Sequence, residues 1–217
     1  MIAILNYGMG NLRSVHKALE RVGADAQVTS DPAAARAAEG VVLPGVGAFP
    51  AAMDRVRELG LDALVSELLR SDVPVLGICL GLQLLFERSA EQGGADGLGV
   101  LPGEVTALDA GGLKVPHIGW EPVRWERSSE LMEGLDTQTP FYFVHSFAVR
   151  PDNPADVLGT AEWGERFACA VVRPPLYGVQ FHPEKSGTAG LRLLANFARI
   201  VRAGDQVALQ SSGPASG

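Results

Sequence analysis

The chain has 217 residues, of which 47% are hydrophobic and 20% charged, a balance typical of a globular domain with a sizeable core. Its net charge is −7 and its basic residues form no dense cluster, which argues against nucleic acid or an anionic membrane surface as a partner. No apolar run reaches the roughly 18 residues that cross a bilayer, and the N-terminal residues lack signal-peptide features. We therefore expect a soluble cytoplasmic protein.

The first half of the chain alternates strand and helix patterns. Short apolar runs predict strands at residues 2–5, 26–29, 41–43 and 73–78. Apolar residues at helical spacing predict helices at residues 11–22, 48–70 and 80–87. This order is typical of an α/β domain with a mostly parallel central sheet that is flanked by helices.

The second half is richer in strand and turn patterns. It predicts strands at residues 99–108, 114–118, 141–144, 147–149, 167–172 and 176–181, then a helix at residues 188–202. The simplest arrangement is one domain over residues 1–203 in which an antiparallel strand region is added to the α/β sheet. Residues 204–217 are rich in Gly, Ser and Ala and are predicted to be a disordered tail.

The chain has two cysteines, Cys79 and Cys169, too few for a disulfide scaffold and not in the spacing of a metal site. We therefore expect no metal and no cofactor. Cys169 lies among small apolar residues of a predicted strand, which favours a buried, inert thiol.

Cys79 lies in the run Gly-Ile-Cys-Leu-Gly, between a predicted strand and an apolar helix. A nucleophile at such a sharp turn needs small neighbours, because its backbone is strained and closely packed. The helix N-terminus favours a thiolate, and the N–H of Leu80 is placed to stabilise an oxyanion. Taken alone, the run also fits a small buried cysteine at a tight turn.

His182 and Glu184 follow the last predicted strand, with Pro183 between them. A thiol nucleophile needs a base, and the base needs a carboxylate to orient it. Taken alone, His-Pro-Glu would be read as an incidental surface loop. Together with Cys79 it predicts a Cys-His-Glu triad.

Two glycine-rich turns follow predicted strands near the start of the chain. Residues 44–49, Pro-Gly-Val-Gly-Ala-Phe, can present backbone N–H groups to an oxyanion, or form only a flexible turn. Residues 8–11, Gly-Met-Gly-Asn, resemble the start of a dinucleotide fingerprint. Arg13 stands where the third glycine would be, so the fingerprint fails.

Five motifs together resemble class I glutamine amidotransferases, and within them the glutaminase subunits of imidazole glycerol phosphate synthase. These motifs are NYGMGNL (6–12), PGVGAF (44–49), GICLGLQLLFE (77–87), KVPHIGW (114–120) and GVQFHPEKS (178–186). They are collinear, and the resemblance spans residues 1–202. The Pro-Gly-Val-Gly form of the second motif is the most discriminating, since sister amidotransferases have Gly-Gly-Pro-Gly there.

The resemblance implies a role for each matching residue. Cys79 would be the nucleophile, His182 the base and acid, and Glu184 the group that orients His182. Backbone N–H groups near Val46 and Leu80 would stabilise the oxyanion. The residues implied to bind glutamine are Gly47, Gln83, Ser146 and Phe147; the family often has tyrosine in place of Phe147, where main-chain contacts are expected to matter.

The resemblance also implies a partner, a (β/α)8-barrel cyclase subunit that uses the ammonia to form imidazole glycerol phosphate and aminoimidazole carboxamide ribotide in histidine biosynthesis. The residues implied to face it are His117, Trp120, Tyr142 and Lys185. By composition alone these would be core, turn or solvated residues. His145 is expected to be a structural, hydrogen-bonded histidine.

Three alternatives stay open. The chain could be the glutaminase of another pathway, such as pyridoxal phosphate or anthranilate formation, although residues 44–47 and 114–120 argue against it. It could be an α/β cysteine peptidase, which an activity assay would distinguish. It could also be a catalytically inactive binding module, which the intact Cys79, His182 and Glu184 set argues against.

Overall fold

The computed structural model describes residues 1–211, with side chains up to residue 204. The strands in this range are β1 (Ile2–Leu5), β2 (Ala26–Thr29), β3 (Gly40–Gly45), β4 (Val75–Cys79), β5 (Phe86–Ser89), β6 (Ala95–Asp96), β7 (Leu101–Ala107), β8 (His117–Pro122), β9 (Arg124–Trp125), β10 (Pro140–His145), β11 (Phe147–Pro151), β12 (Val157–Trp163), β13 (Glu165–Arg173) and β14 (Leu176–Val179). The helices are α1 (Leu12–Arg21), α2 (Pro32–Arg36), α3 (Phe49–Glu58), α4 (Leu61–Arg70), α5 (Leu80–Leu84) and α6 (Gly187–Ser211).

Within the described residues, twelve strands form one mixed sheet in the order β2-β1-β3-β4-β14-β13-β11-β7-β5-β6, with β12 beside β13 and β9 beside β12. The first five strands of this order are parallel. Most pairs beyond β14 are antiparallel. Strands β8 and β10 form a separate antiparallel pair. The predicted parallel sheet with an added antiparallel region is therefore confirmed.

Helices cover both faces of the sheet, because successive residues of its central strands point to opposite sides. In β1, Ile2 and Ile4 pack into one core layer, with residues of α1 and α6. Ala3 and Leu5 pack into the other layer, with residues of α3 and α4. None of the helices within residues 1–211 combines the length and the apolar character needed to cross a bilayer.

Three predicted helices differ from the observed ones. The single helix predicted at residues 48–70 is two helices, α3 and α4, which are separated at Gly60, whose φ is +65°. The helix predicted at residues 80–87 ends at Leu84, since Phe86 pairs with β7 instead. The last helix continues to Ser211 and does not end near residue 202. The predicted tail, residues 204–217, therefore overlaps the end of α6, and its residues 212–217 lie outside the described residues.

Several strands also differ, for reasons of tertiary pairing. The strand predicted at residues 114–118 begins at His117 and runs to Pro122, where it pairs with β10. Strands β5, β6, β9 and β12 were not predicted, and their short or mixed patterns form strands only through their neighbours in the sheet.

The carboxyl ends of β3, β4 and β14 lie side by side at one edge of the sheet. Gly45 is opposite Cys79 in the β3–β4 ladder, and Val179 is opposite Ile78 in the β14–β4 ladder. Loops after adjacent parallel strands meet at such an edge, which is where α/β folds bind ligands. This arrangement brings together the motifs at residues 44–49, 77–87 and 178–186.

Candidate active site

Cys79 is the last residue of β4 and directly precedes α5. Its backbone has φ 55° and ψ −111°, a conformation that typically costs about 1–3 kcal/mol for a residue with a side chain. Its glycine neighbours are needed for space: a Cβ on Gly81 would lie 1.7 Å from the Leu43 carbonyl oxygen, and one on Gly77 would lie 2.8 Å from Leu82. The predicted sharp, closely packed turn at Cys79 is therefore present.

His182 and Glu184 form a buried pair directly after β14. His182 Nδ1 lies 2.9 Å from Glu184 Oε1, and the two side chains are 2% and 1% exposed. A carboxylate accepts, so Nδ1 is the protonated nitrogen, which leaves Nε2 for the Cys79 thiol. Within the described part of the chain, this buried Nε2 has no hydrogen-bond partner, so it is available to the thiol.

Ser186 holds the loop that carries this pair, and sequence reasoning did not single it out. Its hydroxyl donates to the His182 carbonyl oxygen at 2.7 Å and accepts from the Tyr142 N–H at 3.0 Å. The His182 N–H in turn donates to the Tyr142 carbonyl oxygen at 2.9 Å. The loop is therefore fixed to β10 at His182 and at Ser186.

The pKa of His182 reflects its two neighbours. Burial alone would lower it, but the neighbouring Cys79 and the hydrogen-bonded Glu184 carboxylate raise the pKa from 6.5 to about 9. Because the folded-state pKa lies above the unfolded value, protonation of His182 stabilises the fold fully below pH 6.5, and this contribution is lost as the pH rises through about 9. His182 can therefore hold a proton beside Cys79 at neutral pH.

We expect Glu184→Gln to bring the pKa of His182 down toward 6.5, because a neutral amide no longer favours the imidazolium. NMR titration of the chain's four histidines should show one high-pH step, which moves down by at least about one unit in this variant. The control is Glu20→Gln, which removes the exposed carboxylate 3.9 Å from His16 and should leave that step unchanged. If the high-pH step stays at the same pH in Glu184→Gln, the pairing of His182 with Glu184 is contradicted.

A cavity of about 380 Å³ opens in front of Cys79 and is of a size that suits a small metabolite. Its lining includes the predicted residues Val46, Gly47, Cys79, Leu80, Gln83, Ser146, Phe147, His182 and Lys185. Glu184 lies behind His182 and does not line it. The lining also includes Glu91, Pro116, Val144 and His145, which had not been predicted to bind a substrate.

A buried chain of amides leads from this cavity to the thiol. Gln83 Nε2 donates to Gln180 Oε1 at 3.0 Å and to the Phe147 carbonyl oxygen at 3.1 Å. Gln180 Nε2 points to Cys79 Sγ at 3.6 Å. Gln180 belongs to the motif at residues 178–186, but only its full burial at the strand end distinguishes it.

His145 and His117 extend this buried network. The Phe147 carbonyl accepts from His145 Nδ1 at 2.8 Å, so His145 Nε2 is free to accept from His117 Nδ1 at 3.0 Å. Burial lowers the pKa of both histidines to about 4, so both are neutral at physiological pH. The expected structural role of His145 agrees with these contacts.

Of the residues expected to face a partner, His117 is buried, whereas Trp120 is exposed and Lys185 lies beside the cavity mouth. His117 is 0% exposed and stacks on Trp163, with ring centroids 4.3 Å apart, so its side chain is not part of the exposed surface. Trp120 is 52% exposed and packs edge-on against Tyr142. Lys185 Nζ lies 5.7 Å from the Tyr142 ring centroid, beside the mouth of the cavity.

The turn at residues 44–47, here called the oxyanion loop after its expected role, contains two glycines in different surroundings. Gly45 is buried, and a Cβ there would lie 2.9 Å from Leu80 Cβ and 3.0 Å from the Gly81 nitrogen. Gly47 is exposed and has φ +105°, and a Cβ there would meet only the mobile end of Met9, at 2.7 Å. Substitution at Gly45 would therefore disturb packing. Substitution at Gly47 would mainly change the backbone conformations open to the loop.

Comparisons with known proteins agree with this arrangement. A solved glutamine amidotransferase superposes with a TM-score of 0.73 over 93% of this chain and 98% of its own, at 23% identity; this likeness shows a shared fold. The imidazole glycerol phosphate synthase subunit HisH of Moorella thermoacetica is 53% identical over 201 residues, which cover 93% of this chain and 95% of that protein.

A second relative is similar over nearly the same share of the chain. The imidazole glycerol phosphate synthase subunit HisH of Nitrosomonas europaea is 49% identical over 208 residues, which cover 91% of this chain and 97% of that protein. The family model "Glutamine amidotransferase class-I" matches residues 3–201, nearly the whole predicted domain. The chain therefore belongs to the class I glutamine amidotransferase family.

Proposed function

We propose that this chain is the glutaminase subunit of an imidazole glycerol phosphate synthase and acts in the cytoplasm in histidine biosynthesis. It hydrolyses glutamine to glutamate and ammonia and passes the ammonia to a (β/α)8-barrel cyclase subunit. The observation that carries this proposal is the position of Cys79 in the cavity wall, beside the buried His182–Glu184 pair. Identity of about half of all positions with synthase subunits supports the choice of pathway.

The proposed reaction has two half-reactions that share one base. The Cys79 thiolate attacks the carboxamide carbon of glutamine and forms a tetrahedral oxyanion, which the N–H groups of Val46 and Leu80 stabilise. His182 protonates the leaving nitrogen, so that ammonia departs and a γ-glutamyl thioester remains. His182 then takes a proton from water, which attacks the thioester and releases glutamate.

The cavity walls offer groups for the rest of the glutamine molecule. Glu91 is the one carboxylate in the described lining, and it suits the positive α-amino group of glutamine. Its Oε2 accepts from the Phe49 N–H at 2.9 Å, which fixes its position at the start of α3. Gln83, Ser146 and Phe147 also line the cavity and offer polar side-chain and main-chain groups to the substrate.

The proposed docking surface lies beside the cavity mouth. Leu113, Val115, Ile118 and Trp120 are each about half exposed and form an exposed apolar strip along β8 and the segment before it. Pro116, in the same segment, lines the cavity. A partner that covers this strip would therefore also cover the cavity mouth, which is what transfer of ammonia without loss to solvent requires.

Ammonia added from outside tests the proposed division of labour. In complex with the cyclase subunit, Cys79→Ala should make no product from glutamine but should keep the wild-type rate with ammonium at raised pH, because the cyclase needs only ammonia. The measurement is product formation, with each nitrogen source, from the phosphoribulosyl ribonucleotide that the resemblance implies as the cyclase's substrate, here called its nucleotide. Loss of both activities in a correctly assembled complex would show that Cys79 also serves the synthase step.

A further inference from the structure

The turn at residues 6–11 lies against the oxyanion loop. It contains the Gly-Met-Gly-Asn run that does not complete a dinucleotide fingerprint. Asn6 Oδ1 accepts from the Gly8 N–H at 3.1 Å, and Gly8 has φ +88°, so the chain reverses directly after Tyr7. Met9 reaches Gly47, and a Cβ on Gly10 would lie 3.6 Å from the Pro44 ring. The turn therefore contacts both ends of the loop.

Tyr7 makes the one directional contact between the two segments that the described side chains show. Its hydroxyl donates to the Pro44 carbonyl oxygen at 2.7 Å, and its side chain is almost fully buried, with 1% exposure. The β1–β3 ladder ends at the Ile4–Val42 pair, whereas β3 continues to Gly45. The hydroxyl thus holds the end of β3 where β1 no longer reaches it.

We propose that Tyr7 is a positioning residue for the oxyanion loop, an inference that rests on the function proposed above. By holding the Pro44 carbonyl, Tyr7 fixes the orientation of the Pro44–Gly45 peptide. Rotation within the loop is then confined to the next two peptides, so one flip is enough to turn the Val46 N–H toward the developing oxyanion. Gly45 fits this contact closely, since a Cβ there would lie 2.4 Å from the Tyr7 hydroxyl.

The environment of Tyr7 keeps its hydroxyl a donor. Burial raises its pKa far above the usual range, and the nearby negative charge of a Cys79 thiolate raises it further. A carbonyl oxygen can only accept, so the contact with Pro44 persists over the whole pH range in which the enzyme is folded. A Val46 N–H that is held ready in this loop would stabilise the transition state much more than the bound substrate.

Tyr7→Phe removes the hydroxyl and keeps the ring. In the complex with the cyclase subunit and its nucleotide, we expect kcat for glutamine to fall by about tenfold or more, with KM nearly unchanged. Affinity for glutamate γ-semialdehyde, which forms a tetrahedral adduct with a thiolate, should fall in parallel. The ammonia-dependent rate should stay at the wild-type level.

The matched control is Tyr177→Phe. Tyr177 is also buried, at 6% exposure, but it packs in the core layer on the opposite face of the sheet, against Phe197. If Tyr7 had only a structural role, both variants would lose thermal stability. They would then have the same kcat and the same affinity for the aldehyde. para-Aminophenylalanine in place of Tyr7 restores a donor at the same ring position and should recover most of kcat.

Each outcome bears on one claim. Equal kcat and equal aldehyde affinity in the Tyr7→Phe and Tyr177→Phe complexes would overturn the positioning role, and so would failure of para-aminophenylalanine to improve on phenylalanine. If the Phe variant folds poorly, comparison of the para-aminophenylalanine enzyme with wild type still decides the question. A wild-type complex that leaves glutamine intact would instead refute the proposed function itself.

Discussion

Replacing Cys79 with alanine is expected to lower glutamine hydrolysis by about a thousandfold or more, because the covalent route disappears with the thiol. Cys79 is the cysteine that lines the cavity and adjoins His182. The measurement is glutamate release by the complex with the cyclase subunit and its nucleotide. Folding should be little affected, since alanine also fits the closely packed turn.

Cys169→Ala is the matched control, since both cysteines are buried. Cys169 lies within β13 at 0% exposure, where burial raises its pKa well above the usual range and keeps the thiol protonated. Its loss should therefore leave most of the activity. Near-normal turnover by Cys79→Ala, or its abolition by Cys169→Ala, would contradict the assignment of the nucleophile.

The second large effect is expected at Gly47. We expect the isolated chain to hydrolyse glutamine slowly and the nucleotide-loaded complex to hydrolyse it much faster, because glycines let the oxyanion loop rest with a carbonyl turned toward the site. Gly47→Val should lower kcat of the loaded complex by about a hundredfold, since one oxyanion donor is worth that much. The loss should appear mainly in kcat, because the lost oxyanion interaction belongs to the transition state, and any rise in KM would report the contact of Gly47 with glutamine.

Gly60→Val provides the control for backbone strain. Gly60 also has a positive φ, +65°, and a Cβ there would meet nothing within 4 Å, but it lies between α3 and α4, away from the cavity. Both variants should lose similar thermal stability, and only Gly47→Val should lose activation. Equal turnover by the free chain and the loaded complex would rule out gating and leave the Cys79 chemistry intact.

The parallel half of the fold could be predicted because its strands are buried on both faces. Runs such as residues 2–5 and 73–78 carry that burial in their own composition. The single helix predicted at residues 48–70 was wrong because one glycine with positive φ, Gly60, divides two patterns of the same period. Strand β5 was missed because it forms by pairing with β7, a distant segment, through Phe86. The local sequence pattern does not indicate this pairing.

The candidate site divides in the same way. The placement of Cys79, His182 and Glu184 at neighbouring strand ends could be predicted, because thiol chemistry would require these residue types there. Gln180, Ser186 and Glu91 were not, because each acquires its role from contacts that form only when distant segments meet. His117 was implied to face a partner, but its side chain is buried by packing between Phe143 and Trp163, as composition alone would suggest.

Covalent labelling tests the central claim, that Cys79 is the nucleophile of a glutaminase. The reagent is a glutamine analogue that carries an electrophile in place of the carboxamide, applied to the loaded complex and followed by peptide mass spectrometry. We predict one label per chain, on the peptide that contains Cys79, with protection by glutamine and loss of activity in proportion to labelling. Labelling of Cys169 with Cys79 untouched, or full inactivation with Cys79 unmodified, would contradict the account.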